Sequence, residues 1–194
     1  MTRLLIMGPQ GSGKGTQAAR IAEALGIPAI STGDIFRANI KGDTELGRLA
    51  RSYSDRGELV PDEVTNAMVR DRLAAQDTAA GFLLDGYPRN AAQVEELDAI
   101  LAERGTPLQG VVALDVPRAE LLERIAQRAV AEGRSDDTAE AIERRLAVYE
   151  EQTAPLLDAY RERGILLDVV GVGDVEEITT AILAGLGSRG IGAA

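Results

Sequence analysis

Short, almost wholly apolar runs alternate along the chain with longer stretches in which apolar residues recur every three or four positions. The runs RLLIMG (3–8), IPAI (27–30), GFLLDG (81–86), GVVALDV (110–116) and GILLDVV (164–170) predict strands. Most lack polar alternation, as strands covered on both faces should. Between them, GKGTQAARIAEAL, DEVTNAMVRDRLAA, NAAQVEELDAILAERG, PRAELLERIAQRAV and DTAEAIERRLAVYEEQTAPLLDAYRERG predict helices. The last of these starts with an Asp-Thr cap signal and is kinked at Pro155. DVEEITTAILAGL predicts a closing helix, and GSRGIGAA after it reads as a frayed tail. Strand and helix in repetition imply an α/β fold, a parallel sheet with helices on both faces.

Composition narrows the chemistry. A chain of 194 residues fits one domain with a sizeable core. No apolar run reaches the ~18 residues of a membrane span, and the N-terminus reads as strand, so a cytoplasmic protein is expected. Cysteine and histidine are both absent. That removes disulfides, thiolate metal sites and imidazole bases, and leaves carboxylates, cations and backbone as tools. A formal net charge of −10 argues against nucleic-acid or anionic-membrane partners. Lys14 and Lys41 are the only lysines, and the first lies inside a glycine run.

That run, GPQGSGKGT (8–16), follows the first predicted strand and opens the first predicted helix. Ligands of parallel α/β sheets bind beyond the carboxyl ends of strands, where glycines let successive N–H groups face an anion and the helix N-terminus adds its positive end. The string fits the phosphate-loop pattern GxxxxGK, with Gly15 at the usual Ser/Thr position and the hydroxyl one later, at Thr16. Asp85 ends a strand and is placed to hold Mg²⁺ through water, although a cap or turn role is the plain alternative. No acid stands beside it to orient an attacking water, and the guanine-reading NKxD is missing.

GPQGSGKGTQ, ISTGDIFR, LVPDEVT, LLDGYPRN with Gln93, LLERIAQR and GRSDDTAEAIERRLAVYEEQTAPL stand in order. Together they resemble the adenylate kinases, specifically bacterial-type members with a short lid, over residues 3–186. The resemblance implies a P-loop core with a five-stranded parallel sheet (1–30, 61–128 and 136–187). It also implies a nucleoside-monophosphate-binding insert (31–60), a short lid (129–135) and a flexible tail (188–194).

By the same resemblance, ATP would lie on Gly11, Ser12, Gly13, Lys14, Gly15 and Thr16, with Arg124, Arg128 and Gly173. AMP would meet Thr32, Arg37, Glu58, Leu59, Val60, Gly86, Tyr87, Pro88, Arg89 and Gln93. Arg134 and Arg145 would reach the transferring phosphate, and Lys14, Arg89 and Arg124 would act with them. Asp34 would join Asp85 at Mg²⁺. Read alone, Ser31, Thr32 and Asp34 suit a helix cap, Arg124 and Arg128 suit surface pairing with Glu120, and Asp136 and Asp137 suit capping. With only AVAEG between Arg128 and Arg134, and neither Cys nor His, no structural zinc site is expected.

The implied reaction is reversible, Mg-dependent transfer of the terminal phosphoryl group of ATP to AMP, giving two ADP. The implied partners are these nucleotides alone, and the implied state is a monomer. A UMP/CMP-type kinase is the nearest alternative. A non-catalytic nucleotide-binding switch protein is the alternative from another class.

Overall fold

A computed structural model describes residues 1–132 and 138–192. Its centre is a five-stranded sheet of β1 (Thr2–Met7), β2 (Ala29–Ser31), β3 (Gly81–Asp85), β4 (Gly110–Asp115) and β5 (Leu166–Val170). The strands run parallel in the order β2-β3-β1-β4-β5, with Leu5 opposite both Leu84 and Val111. The central strand β1 is therefore flanked by β3 and β4, and chain crossovers leave in both directions from it. A crevice opens at such a switch point, at the carboxyl ends.

Alternation along β1 divides the core. Leu5 and Met7 face one side with Leu84, Val111 and Ala113. That side is covered by α4 (Asp62–Leu73), α5 (Ala91–Glu103) and α8 (Leu156–Glu162), through Val69, Leu97, Ile100 and Tyr160. Leu4 and Ile6 face the other with Leu83, Val112 and Leu114. There α1 (Lys14–Leu25) and α9 (Val175–Gly187) supply Ala18, Ile21, Ile178 and Ile182. Both faces are apolar because both are buried, which is why these strands read as unbroken apolar runs.

The segment after β2 holds two helices, α2 (Thr32–Lys41) and α3 (Glu45–Ser54). After β4 come α6 (Arg118–Glu132) and α7 (Ala139–Val148). The helix expected from 137 to 164 is interrupted in a specific way. A π-helical turn, Tyr149–Thr153, separates α7 from α8, and Ala154 N donates to Tyr149 O at 2.8 Å. Pro155 has no N–H to continue the ladder, so the backbone widens before it.

The tail expected to fray instead stays on the body through Gly192. Ile191 is buried with Leu186 in the α1–α9 core, and Thr2 Oγ1 donates to Gly192 O at 3.3 Å. No described helix is long and apolar enough to cross a membrane.

Candidate active site

The glycine run forms the link between β1 and α1. Gly11 has φ 85°, and a Cβ there would lie 2.8 Å from Leu121 O on α6, so only glycine fits both the turn and the approach. Gly13 caps α1 in a left-handed conformation and offers no side-chain acceptor, which leaves the first N–H groups of α1 for another anion. Facing this turn, Asp85 lies at the end of β3, with Oδ2 at 3.7 Å from where a Gly15 Cβ would sit. Asp85 Oδ1 is buried and has no hydrogen-bond partner. An acceptor so placed wants a cation or its water.

A cavity of about 520 Å³ opens between this loop, α2, α3, α5 and α7. Of the residues singled out above, it brings together Gly13, Lys14, Gly15, Thr16, Thr32, Asp34, Arg37, Glu58, Leu59, Val60, Asp85, Gly86, Tyr87, Pro88, Arg89, Gln93, Arg128 and Arg145. Gly11, Ser12, Arg124 and Gly173 do not line it. Gly11 faces α6, and Ser12 is buried beneath the loop. Arg124 lies on the far side, 3.8 Å from a Gly13 Cβ, where Nη1 donates to Gly171 O at 2.9 Å and Nε pairs with Glu120 at 2.9 Å. Gly173 follows two residues later in that same β5–α9 loop. Arg134, Asp136 and Asp137, with part of the expected lid, lie outside the described residues.

Several cations share the cavity wall. Lys14 is half-buried on the cavity wall, and its ammonium donates to Pro9 O at 3.3 Å. Burial pushes it below the ordinary lysine range; Asp85 opposes the shift, while Arg89, Arg128 and Arg37 add to it. Arg89 is likewise lowered by burial, with Asp85 opposing and Arg145 and Arg37 contributing. Such a cluster is stabilised by an anion that several cations share. Burial also pushes the Tyr149 phenol on the cavity wall up to about 12, so it faces the site as a neutral group.

Arg89 is fixed by three hydrogen bonds. Its Nε donates to Gly86 O at 2.8 Å, and its backbone N donates to Gln93 Oε1 at 2.8 Å. Its carbonyl accepts from Thr153 Oγ1 at 2.7 Å. Gly86 O in turn accepts from Thr32 Oγ1 at 3.0 Å. Ser31 caps α2 by accepting from Asp34 N at 3.2 Å, while the Asp34 carboxylate pairs with Arg37. Glu58 pairs with Arg56 at 2.9 Å. Arg145 Nη2 donates to Ser54 O at 2.9 Å, joining α7 to the end of α3.

Among the residues on this wall that escaped the sequence reading, three make polar contributions described above. Thr153 and Tyr149 sit in the π-helical turn, which no periodicity announces, and Ser54 ends a helix that the apolar pattern does not reveal. Their only signal in the sequence is proximity to Pro155 and to the insert.

A family model described as adenylate kinase matches residues 6–165. An adenylate kinase of Bifidobacterium longum is 62% identical over 184 residues, covering 95% of this chain and 99% of that protein. One from Kocuria rhizophila is 59% identical over 186 residues, covering 96% and 99%. One from Thermobifida fusca is 56% identical over 187 residues, with the same coverage of 96% and 99%.

Proposed function

The chain belongs to the adenylate kinase family, and from that premise we propose that it transfers the terminal phosphoryl group of ATP to AMP, reversibly and with Mg²⁺. The observation that carries this reading is the convergence of Lys14, Arg37, Arg89, Arg128 and Arg145, from separate elements, around one cavity that also holds the carboxylate of Asp85. Phosphoryl transfer asks for alignment and charge neutralisation more than for acid–base chemistry, which suits a chain without histidine.

In this reading the loop from Gly11 to Thr16 cradles the ATP phosphates, with Lys14 on the outer ones. Arg124 and the Gly171–Gly173 loop, on the far side of Gly13, take the base and ribose. AMP docks between α2, Leu59, Val60 and α5, its phosphate on Arg37 and Arg89 and its base on Thr32 and Gln93. One oxygen of the AMP phosphate attacks the γ-phosphorus. The bond to the β,γ-bridging oxygen breaks, and its electron pair leaves with ADP. The second pKa of a phosphate monoester is about 6, so the nucleophile needs no base at neutral pH. Arg89, Arg145 and the lid's Arg134 stabilise the equatorial oxygens as charge spreads over them.

The residues fit Mg²⁺: Asp85, with its buried unbonded oxygen, and Asp34, after release from Arg37, would hold it through water. When bound, it supplies charge neutralisation at the β- and γ-phosphates. The insert 31–60 and the lid 129–135 would close over the nucleotides and exclude water that would otherwise hydrolyse ATP. The protein works as a cytoplasmic monomer whose partners are ATP, AMP and ADP.

A coupled assay for ADP made from ATP plus AMP, with and without Mg²⁺, tests the reading. Strong, Mg-dependent ADP formation is expected. Faster turnover with UMP or CMP than with AMP would replace AMP as the acceptor, and binding of ATP without transfer to any monophosphate would leave only a nucleotide-binding switch.

A further inference from the structure

Gln93 is 2% exposed, lines the cavity, and has both ends of its amide engaged by protein. Its Nε2 donates to Asp62 Oδ1 at 2.7 Å, and its Oε1 accepts from Arg89 N at 2.8 Å. These two partners have opposite and fixed chemistry. A carboxylate only accepts, and a backbone N–H only donates. The amide of Gln93 therefore has one permitted sense, whichever way its atoms are drawn.

Asp62 is held in turn. Asn90 Nδ2 donates to Asp62 Oδ1 at 3.0 Å and to Oδ2 at 3.2 Å, while Asn90 Oδ1 accepts from Gln93 N at 2.9 Å and caps α5. The acceptor-only carboxylate thus sets the sense of two amides. Each end of the Gln93 amide keeps one further capacity, a second N–H and a second lone pair.

We propose that Asp62 is a specificity-determining positioning residue, which locks the Gln93 amide in the one orientation that accepts a purine amine and donates to the adjacent ring nitrogen. This rests on the reading that Gln93 meets the base of AMP. Adenine presents an N6 donor beside an N1 acceptor, and hypoxanthine presents the reverse pair on the same frame. To serve hypoxanthine the amide must turn over. That would set Oε1 against the Asp62 carboxylate and the Nε2 protons against Arg89 N–H. A buried mismatch of this kind discriminates far more strongly than shape does. Asp62 also opens α4, where any acid favours the helix N-terminus. That structural role predicts no preference between two bases of the same outline.

The test compares AMP and IMP as acceptors with MgATP, reading kcat/KM for each in the wild type, Asp62→Asn and Gln93→Leu. An asparagine can present either an oxygen or an amine, so Asp62→Asn should cut the AMP-over-IMP preference by about tenfold, the scale of one lost charge-assisted hydrogen bond. Gln93→Leu should abolish most of the preference. If Gln93→Leu loses the preference while Asp62→Asn keeps that of the wild type, the lock is overturned and the base-reading role stands. If Gln93→Leu keeps it, Gln93 does not read the base, and both ideas fall. Should Asp62→Asn not fold, the wild type decides by NMR: a trans-hydrogen-bond correlation between Gln93 Nε2 and the Asp62 carboxyl carbon in the AMP complex is expected, and its absence would overturn the lock.

Discussion

Thr153 Oγ1 donates to the carbonyl oxygen of Arg89 at 2.7 Å, across 64 positions of sequence, and so ties the π-helical turn to the loop that carries a half-buried cavity cation. The turn exists because Pro155 ends the regular ladder, and the widened backbone brings the Thr153 hydroxyl onto that carbonyl. Pieces of chain with no local relationship thereby share one geometric constraint.

Thr153→Val tests that constraint. It keeps the shape and removes the donor, leaving a buried carbonyl with one partner fewer. A loss of about 1 kcal/mol in Arg89 positioning corresponds to roughly a fivefold fall in kcat/KM for AMP. Steady-state kinetics should show this with little change in KM for ATP, whereas equal losses for both substrates would point to a general disturbance.

Lys14→Met separates function from stability. The ammonium is desolvated near three arginines, offset only in part by Asp85, and donates to a carbonyl at 3.3 Å, so an apolar chain of similar length relieves a cost. Turnover should fall at least about a hundredfold, as for contacts made chiefly in the transition state. Thermal unfolding should show a Tm equal to or above that of the wild type.

The lowered Lys14 value fixes a sign for pH dependence. Burial makes the folded protein release this proton at lower pH than the unfolded chain does. As pH rises through the lowered value towards the ordinary lysine value, this group's contribution to folding stability increases, because the unfolded chain binds more protons there. In the same window, affinity for ATP falls, and binding takes up a proton as the phosphates restore the charge. Calorimetry in buffers of differing ionisation heat should detect that uptake between the lowered value and the ordinary lysine value, and Lys14→Met should lose it.

Ile191→Ala probes the docked tail. Removing most of a side chain that is 6% exposed should lower stability by about 2–4 kcal/mol. Urea unfolding reads this directly, and an unchanged midpoint would mean that the segment after α9 adds nothing to the core.

Much of this was legible in the residues, and the exceptions have physical causes. The three inner strands β1, β3 and β4 announce themselves because each is buried on both faces, and Lys14 stands out because a lone lysine in a glycine run has little structural use. Helix α3 was not legible, since it packs on α2 through Gly47 and Ala50 rather than along an apolar stripe, and a Cβ at Gly47 would overlap the Asn39 carbonyl. Ile191 was hidden among glycines that suggest disorder, because one buried side chain leaves no periodic pattern. The division of the glycine loop, with Lys14 on one side and Arg124 on the other, depends on the path of α6 past Gly11, which spacing does not encode. Asp62 carries no role legible in the sequence, because its hold on Gln93 spans 31 positions.

The central claim is that cations from separate elements act together on one transferring phosphoryl group, and Arg89 is its most exacting test. Its side chain is held by Gly86 and its carbonyl by Thr153, so truncation removes a charge without removing a core contact. The measurement is ADP formation from MgATP and AMP by Arg89→Ala, with Tm recorded on the same sample. The account predicts a fall in kcat/KM for AMP of at least about a hundredfold at a nearly unchanged Tm. Turnover close to that of the wild type would contradict it.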